Sequence, residues 1–498
     1  MKKNVFRMLL CFGLLLTLAG CAHTQNPSGA DADAVAETPA PTATPAPPTS
    51  TPTPPIAPPE AEKMAAYEEM AEGCELPIIS IYTRDGAEVL SLDEYVECVV
   101  DVFNCEDDFI LNEMAAGIKV RGNSSAHYGD VSKIRKYKAP YRIKFEEKQS
   151  MLGLNDSAEC KSWVLLKANW NLLAEDVAFR MGRLLQDGHA FCSDSTFVHV
   201  YINEEFHGIY LLCEQCQVHP DRVDIHEPED GYTGTDIGYY MEIDNYAWDD
   251  PNHPYFVQNY AYGSMTDIEG VTREFAAADY SIKNDLYSDE QVTFIGNYMN
   301  NLFTALYDAC RGDRYMTLDA DGNLVASDYT SSYEVADALL DIESVVNMYL
   351  LHEIVHSNDC GEGSFYMCID FSAESTCPKL QFTSPWDFNW AYEGEPAGQY
   401  YAGAFCSEDF MNTFGDRSNP WFVLLMGEKW FVDMVREKWT SLQSDGLIRA
   451  CVEYDEAYLR SYEEELALAG EGYVENAYAL VEWLYARIDW LDEEWLVE

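Results

Sequence analysis

Apolar and polar residues alternate with a period of two through most of the first half of the chain, and with a helical period through most of the second. A short helix over 61–72, stopped by Gly73, precedes the alternation. The runs 76–82, 95–103, 116–120, 141–145 and 161–166 predict strands. The runs 197–202 and 208–213, joined by Asn203-Glu204-Glu205-Phe206-His207, predict a hairpin that ends in Glu214. A strand over 237–243 carries Glu242, and a short one covers 280–283. One segment breaks the alternation: 175–186 places Val177, Met181, Leu184 and Leu185 at helical spacing and stops at Gly188. Residues 246–279 are aromatic and polar without a period and predict an irregular insertion. In the second half, 289–311 and 344–356 predict helices, the latter apolar nearly all round and therefore buried. From Pro420, the spacing of Trp421, Leu424, Leu425, Trp430, Phe431, Met434, Val435 and Trp439 is helical, and 453–495 continues in that style. Aromatic residues so spaced predict core rather than a platform for ligands.

Between these helices the period returns to two. In Ser-Phe-Tyr-Met-Cys-Ile-Asp, Phe365, Met367 and Ile369 fall on one face and Tyr366, Cys368 and Asp370 on the other. In Lys-Leu-Gln-Phe-Thr-Ser, Leu380 and Phe382 alternate with Lys379 and Gln381. With a polar connector between them, the two runs predict a second hairpin. Asp359 lies just before its first strand and Asp387 just after its second, so both carboxylates come to one end of it. Acids there either cap solvent-facing turns, or act together. Acting together, they hold a divalent cation or divide the roles of base and metal ligand.

Composition changes the picture at the N-terminus and in the charge. Lys2, Lys3 and Arg7, a short apolar run, and then Leu18-Ala19-Gly20-Cys21 predict a secretory leader over 1–21. Its last four residues resemble a bacterial lipobox, which implies that Cys21 receives lipid and anchors the protein to the outer side of the cell membrane. Residues 22–60 are rich in Pro, Thr, Ala and Ser and predict a disordered tether. The formal charge is −55, from 86 acids and 31 bases, which excludes general nucleic-acid affinity. Against that background nine cations fall inside thirty residues: Lys119, Arg121, Lys133, Arg135, Lys136, Lys138, Arg142, Lys144 and Lys148. They suggest a local anion site. Arg121 opens the small-residue turn Arg121-Gly122-Asn123-Ser124-Ser125, the nearest feature to a phosphate-cradling loop, without Walker or GxGxxG spacing. Fifteen cysteines, two of them in the leader, are scattered, and Cys213-x-x-Cys216 has no partner pair at zinc-site spacing.

Taken together, RGNSS, YRIKF, WVLL, VYINEEFHGIYLLCEQ, HEIVHSND, SFYMCID and PWDFNWAYEG resemble the CotH kinase family over roughly 119–439. The resemblance implies an α+β, two-lobed, atypical protein-kinase-like fold. A β-rich N-terminal lobe would cover 61–285 and a mainly helical C-terminal lobe 286–498. It also implies ATP and Mg2+ as cofactors, and Ser or Thr of a secreted or surface protein as acceptor. It places the catalytic acid/base on Asp359 and the magnesium ligand on Asp387, with Asn358 and Ser364 flanking. Asn389 stands where the family pattern has a second Asp, and an amide is a weaker, neutral metal ligand. On the nucleotide side a cation must pair with the phosphates. Lys144 is the first choice, Lys138 and Lys283 are alternatives, and Glu214 or Glu242 would position it. Two other readings stay open: a pseudokinase serving as a surface binding or adhesion module, and a metal-dependent hydrolase or glycosidase using Asp359 and Asp387.

Overall fold

The computed structural model describes residues 55–167, 173–249, 253–260 and 263–496. The leader, the lipobox with Cys21 and most of the expected tether lie outside the described residues. The tether's last residues are described: Ala57 is buried, and Ile56 packs with Tyr67, Met70, Ile78 and Tyr82. Helix is 39% and strand 23% of the structure, so the fold is α+β.

Helix α1 (Glu60–Met70) leads into a closed barrel. Its strands are β1 (Ile78–Thr83), β2 (Val96–Phe103), β3 (Leu111–Val120), β4 (Tyr141–Gln149), β5 (Cys160–Lys167), β6 (Ser195–Ile202) and β7 (Glu205–Glu214). They follow the order β1-β2-β3-β4-β5-β7-β6, antiparallel except where β1 closes on β6. α2 (Val131–Tyr137) and the single turn α3 (Leu154–Ser157) lie in connections, and α4 (Ala174–Gln186) follows β5. Alternation decides which side chains fill the barrel. Ile143, Trp163, Leu165, Val198, Val200, Tyr210 and Leu212 point inward. Their neighbours Val164, Phe197, Ile209, Leu211 and Cys213 point outward into a second core with Val177, Ala178 and Met181 of α4. The β5-β7-β6 wall is therefore buried on both faces.

A five-stranded sheet follows. β8 (Gly238–Ile243), β9 (Tyr255–Gln258) and β12 (Ala278–Ile282) join β15 (Phe365–Asp370) and β16 (Gln381–Thr383) in the order β16-β15-β8-β12-β9. β10 (Met265–Thr266) and β11 (Thr272–Arg273) form a small ribbon, as do β13 (Met316–Leu318) and β14 (Leu324–Ala326). The stretch 246–279, expected to be irregular, thus supplies an edge strand and a ribbon. Runs of two to four residues are too short to display a period. The central hairpin is as expected, with β15 flanked by β16 and β8, and Phe365, Met367 and Ile369 in the main core. This sheet unites residues on both sides of position 285.

The helices α5 (Asp289–Gly312), α6 (Ser332–Leu339), α7 (Ile342–Val355), α8 (Glu408–Phe414), α9 (Pro420–Leu425), α10 (Lys429–Ser444), α11 (Leu447–Ser461), α12 (Glu463–Leu466) and α13 (Tyr473–Trp495) complete the structure. All of α7 except Glu343 is buried. Its sequence is apolar on every face, so it can only be a central helix.

One charge is buried with it. Glu353 of α7 and Arg487 of α13 are both fully buried and pair at 2.5 Å. Arg487 also donates to the Glu353, Pro396 and Gln399 carbonyls. Glu353 in turn accepts from the Tyr349 hydroxyl and from the amides of Tyr401, Ala402 and Gly403. Such a pair contributes little net energy while intact, but breaking it leaves a buried charge without its partner. Arg487→Leu is expected to lower stability by about 3–5 kcal/mol, read from the urea midpoint. A loss under about 1 kcal/mol would show that the pair is not buried as described.

Candidate active site

Three segments converge on one cavity of about 330 Å3: the turn after β3, the first turn of α4, and the end of the β15–β16 hairpin. Arg121, Asn123, Lys167, Glu175, Glu242, Ser364, Asp387 and Asn389 line it. The turn starts where β3 ends, and Gly122 has φ +93°, with Ser125 Oγ in the space a side chain would need. At the hairpin end Ser364, Ser384 and Asp387 all adopt left-handed backbone, at φ 53°, 51° and 61°. Strained non-glycine residues cluster where the surrounding structure must hold a side chain in one place.

Three of these side chains are acids, and two of them, the half-buried Glu175 and Asp387, feel each other's charge. Burial and the negative charge of Asp387 push the Glu175 carboxyl up to about 8. Arg121 and the Phe388 and Asn389 amides oppose that shift only in part. Burial also raises Asp387, against Arg121, Ser364 and Asn389. Ser364 Oγ donates to Asp387 Oδ2 at 3.4 Å, and the Asn389 amide donates to Asp387 Oδ1. Glu175 Oε2 is buried and has no hydrogen-bond partner among the described residues. An unsatisfied buried carboxylate oxygen beside a second carboxylate is costly unless a proton or a cation occupies the site. An all-oxygen donor set fits a hard divalent ion.

Cations line the same cavity. Arg121 stacks over the Trp386 ring at 5.3 Å. Lys167, at the end of β5, has its ammonium pushed down by burial and by Lys138. It also donates to the Tyr137 carbonyl. Lys283 pairs with Glu242 on the cavity wall, and with Asp244 at 3.3 Å. Burial works against its charge, but the two acids outweigh it and raise the ammonium above its ordinary range.

Other residues singled out from the sequence lie elsewhere. Lys144 is exposed on β4, because its neighbours Ile143 and Phe145 point into the barrel. Lys138 pairs with Glu205 at 2.6 Å. Glu214 is fully buried against Arg222 at 3.1 Å. None of the three lines the cavity. Asn358 is buried with its Oδ1 on the Tyr401 hydroxyl, in a neighbouring cleft that also contains Arg417. Asp359 is not on the cavity wall either. Burial pushes its carboxyl up to about 6, with Arg417 opposing and the Asp387 charge reinforcing. The two aspartates are therefore near enough to feel each other. Arg417 pairs with Asp359, reaches Glu362 at 2.6 Å and stacks on Trp390 at 4.4 Å.

Glu175, Lys167 and Arg417 were not expected from the sequence. Glu175 reads there as an ordinary first-turn helix acid. Lys167 is the last residue of a strand. Arg417 lies in the connection between α8 and α9, far along the chain from Asp359.

Buried acids facing basic side chains across one cavity are the elements of a kinase-like site. The family model described as CotH kinase protein matches residues 118–476, and the chain belongs to that family. No curated protein matches the chain.

Glu175 binds its proton more tightly in the folded than in the unfolded chain, where its ordinary value is 4.5. Metal-free stability should therefore fall as pH rises from about 4.5 to about 8. The slope from this group is at most about 1.4 kcal/mol per pH unit. Glu175→Gln lacks this loss, so its melting temperature should exceed that of wild type increasingly across that window. Saturating Mg2+ should close the gap by binding wild type. A gap independent of pH would contradict the buried pair.

Proposed function

We propose that this protein is a surface-anchored protein kinase with a two-lobed, kinase-like arrangement. It transfers the γ-phosphate of ATP to Ser or Thr of a secreted or surface protein. The observation that carries the reading is the half-buried Glu175–Asp387 pair, whose Glu175 Oε2 has no hydrogen-bond partner among the described residues, facing Arg121 and Lys167 in one cavity. Family membership supports it. The leader-like N-terminus and lipobox support attachment through Cys21 outside the cytoplasm.

In this reading Asp387 and Glu175 would hold the divalent cation, and Ser364 and Asn389 orient the Asp387 carboxylate by their hydrogen bonds. Magnesium–ATP, when bound, supplies the γ-phosphoryl group. Arg121 and Lys167 offset the phosphate charge, and Glu242 with Asp244 holds Lys283 in place as a third cation. Lys144, Lys138 and Glu214 have no part in it. Asp359 accepts the proton of the acceptor hydroxyl as that oxygen bonds to phosphorus and the bond to the ADP oxygen breaks. Arg417 must leave Asp359 before an acceptor can approach.

The Arg417–Asp359 pair also favours a second reading, a binding module whose base is permanently occupied. Transfer of labelled phosphate from ATP to Ser/Thr-rich acceptors separates the two. Asp387→Ala should lose metal-dependent nucleotide binding. Asp359→Asn should keep nucleotide binding and lose transfer by about 10²–10⁴-fold.

Asp359 must be ionised to act as base, so activity should fall as pH drops through about 6. Arg417 holds that value down, so Arg417→Met should move the acid limb to higher pH. If wild type and Arg417→Met both bind nucleotide and transfer nothing, the protein is a binding module.

A further inference from the structure

A second cluster of ligand-type side chains lies outside the cavity. Cys74 follows α1, His199 sits within β6, and Glu465 is in α12. A sulfur, a ring nitrogen and a carboxylate oxygen from these three residues all lie within 4.8 Å of one another. They come from three distant parts of the sequence, and each is held in place. Glu465 Oε1 accepts from the Glu75 amide at 2.9 Å, and Oε2 from the Leu76 amide at 3.1 Å. His199 Nε2 is 2.7 Å from Glu465 Oε2. The Cys74 thiol reaches the Met70 carbonyl at 3.2 Å. The His199 side chain is 1% exposed. Its other nitrogen, Nδ1, is buried and has no hydrogen-bond partner among the described residues. A buried imidazole that leaves one nitrogen unused, beside a thiol and an oriented carboxylate, has coordinating capacity that protein contacts do not consume.

We propose that Cys74, His199 and Glu465 bind a zinc ion that staples the chain leading into β1, the barrel wall and α12 to one another. Thiolate, imidazole and carboxylate together are a zinc donor set, whereas magnesium and calcium require oxygen. Zinc bonds of about 2.0–2.3 Å put tetrahedral donors about 3.5 Å apart, so the thiol would draw in while the His199–Glu465 hydrogen bond at 2.7 Å opens to admit the ion. Cys74 is half-buried and the Glu465 side chain is 13% exposed, so solvent would supply a water as fourth ligand. Burial and the Glu465 charge keep the metal-free thiol protonated, so binding releases the Cys74 proton to solvent. The site is independent of the kinase reading.

Cobalt(II) titration of the whole protein, followed by zinc displacement, tests the proposal. A thiolate-to-cobalt charge-transfer band in the near ultraviolet should appear with tetrahedral visible bands, and zinc should abolish both. Cys74→Ser should lose the near-ultraviolet band, and Asp387→Ala should keep it. Zinc should raise the wild-type melting temperature, and that shift should be lost in Cys74→Ser. Peptide-mapped alkylation needs no variant: zinc should protect Cys74 from iodoacetamide and a chelator should restore labelling. No band with wild type, a band that persists in Cys74→Ser, or Cys74 labelling unaffected by zinc would each overturn the site. In that case His199 and Glu465 form a simple hydrogen-bonded pair.

Discussion

The Arg487–Glu353 pair is the constraint from which the rest of the helical region hangs. α7 is apolar on every face and must be buried, yet it carries a carboxylate in its last turn. That charge is tolerable only because Arg487 and three main-chain amides saturate it. The same contacts fix the loop 396–403 and the end of α7, and Asn358 and Asp359 follow directly. A hydrophobic pair would hold the helices together as well. It would not set the path of the loop, since carbonyl and amide contacts are directional.

A second ionic link orients the barrel side of the cavity. Arg180 of α4 bonds Asp455 of α11 at 2.8 Å and Asp176 at 3.0 Å. It lies one and a half turns along α4 from Glu175. With Val177 and Met181 packed on the β5-β7-β6 wall, α4 has little freedom to turn. Glu175 is thus presented to Asp387 although their charges repel when both are ionised. The fold holds an unfavourable arrangement that a divalent cation would relieve, as expected where stability is given up for binding.

Much of this was legible in the sequence. The period of two around 365–370 and 381–383 marks the hairpin, and its ends mark Asp359 and Asp387. The apolar continuity of 344–356 marks the central helix. The alternation of Ile143, Lys144 and Phe145 already indicates that Lys144 faces away from the barrel core. It does not say which outer walls are covered, and that depends on α4 and the shared core. Glu175 was not legible because its meaning comes from a partner more than two hundred residues away. Arg417 was hidden because its partner Asp359 lies 58 residues earlier in the chain, and β9 because four residues display no period. Local pattern identifies elements, whereas electrostatic partners are set by topology.

In the proposed site Glu175 and Asp387 would hold between them a proton that a divalent cation replaces. Calorimetric Mg2+ titration at pH 7 without nucleotide, whose own terminal phosphate would release protons on binding Mg2+, repeated in buffers of different ionisation enthalpy, measures that proton directly. With the Glu175 carboxyl at about 8, binding should release close to one proton per chain, and Glu175→Gln should release almost none. Binding without proton release in wild type, or equal release in both proteins, would contradict the account.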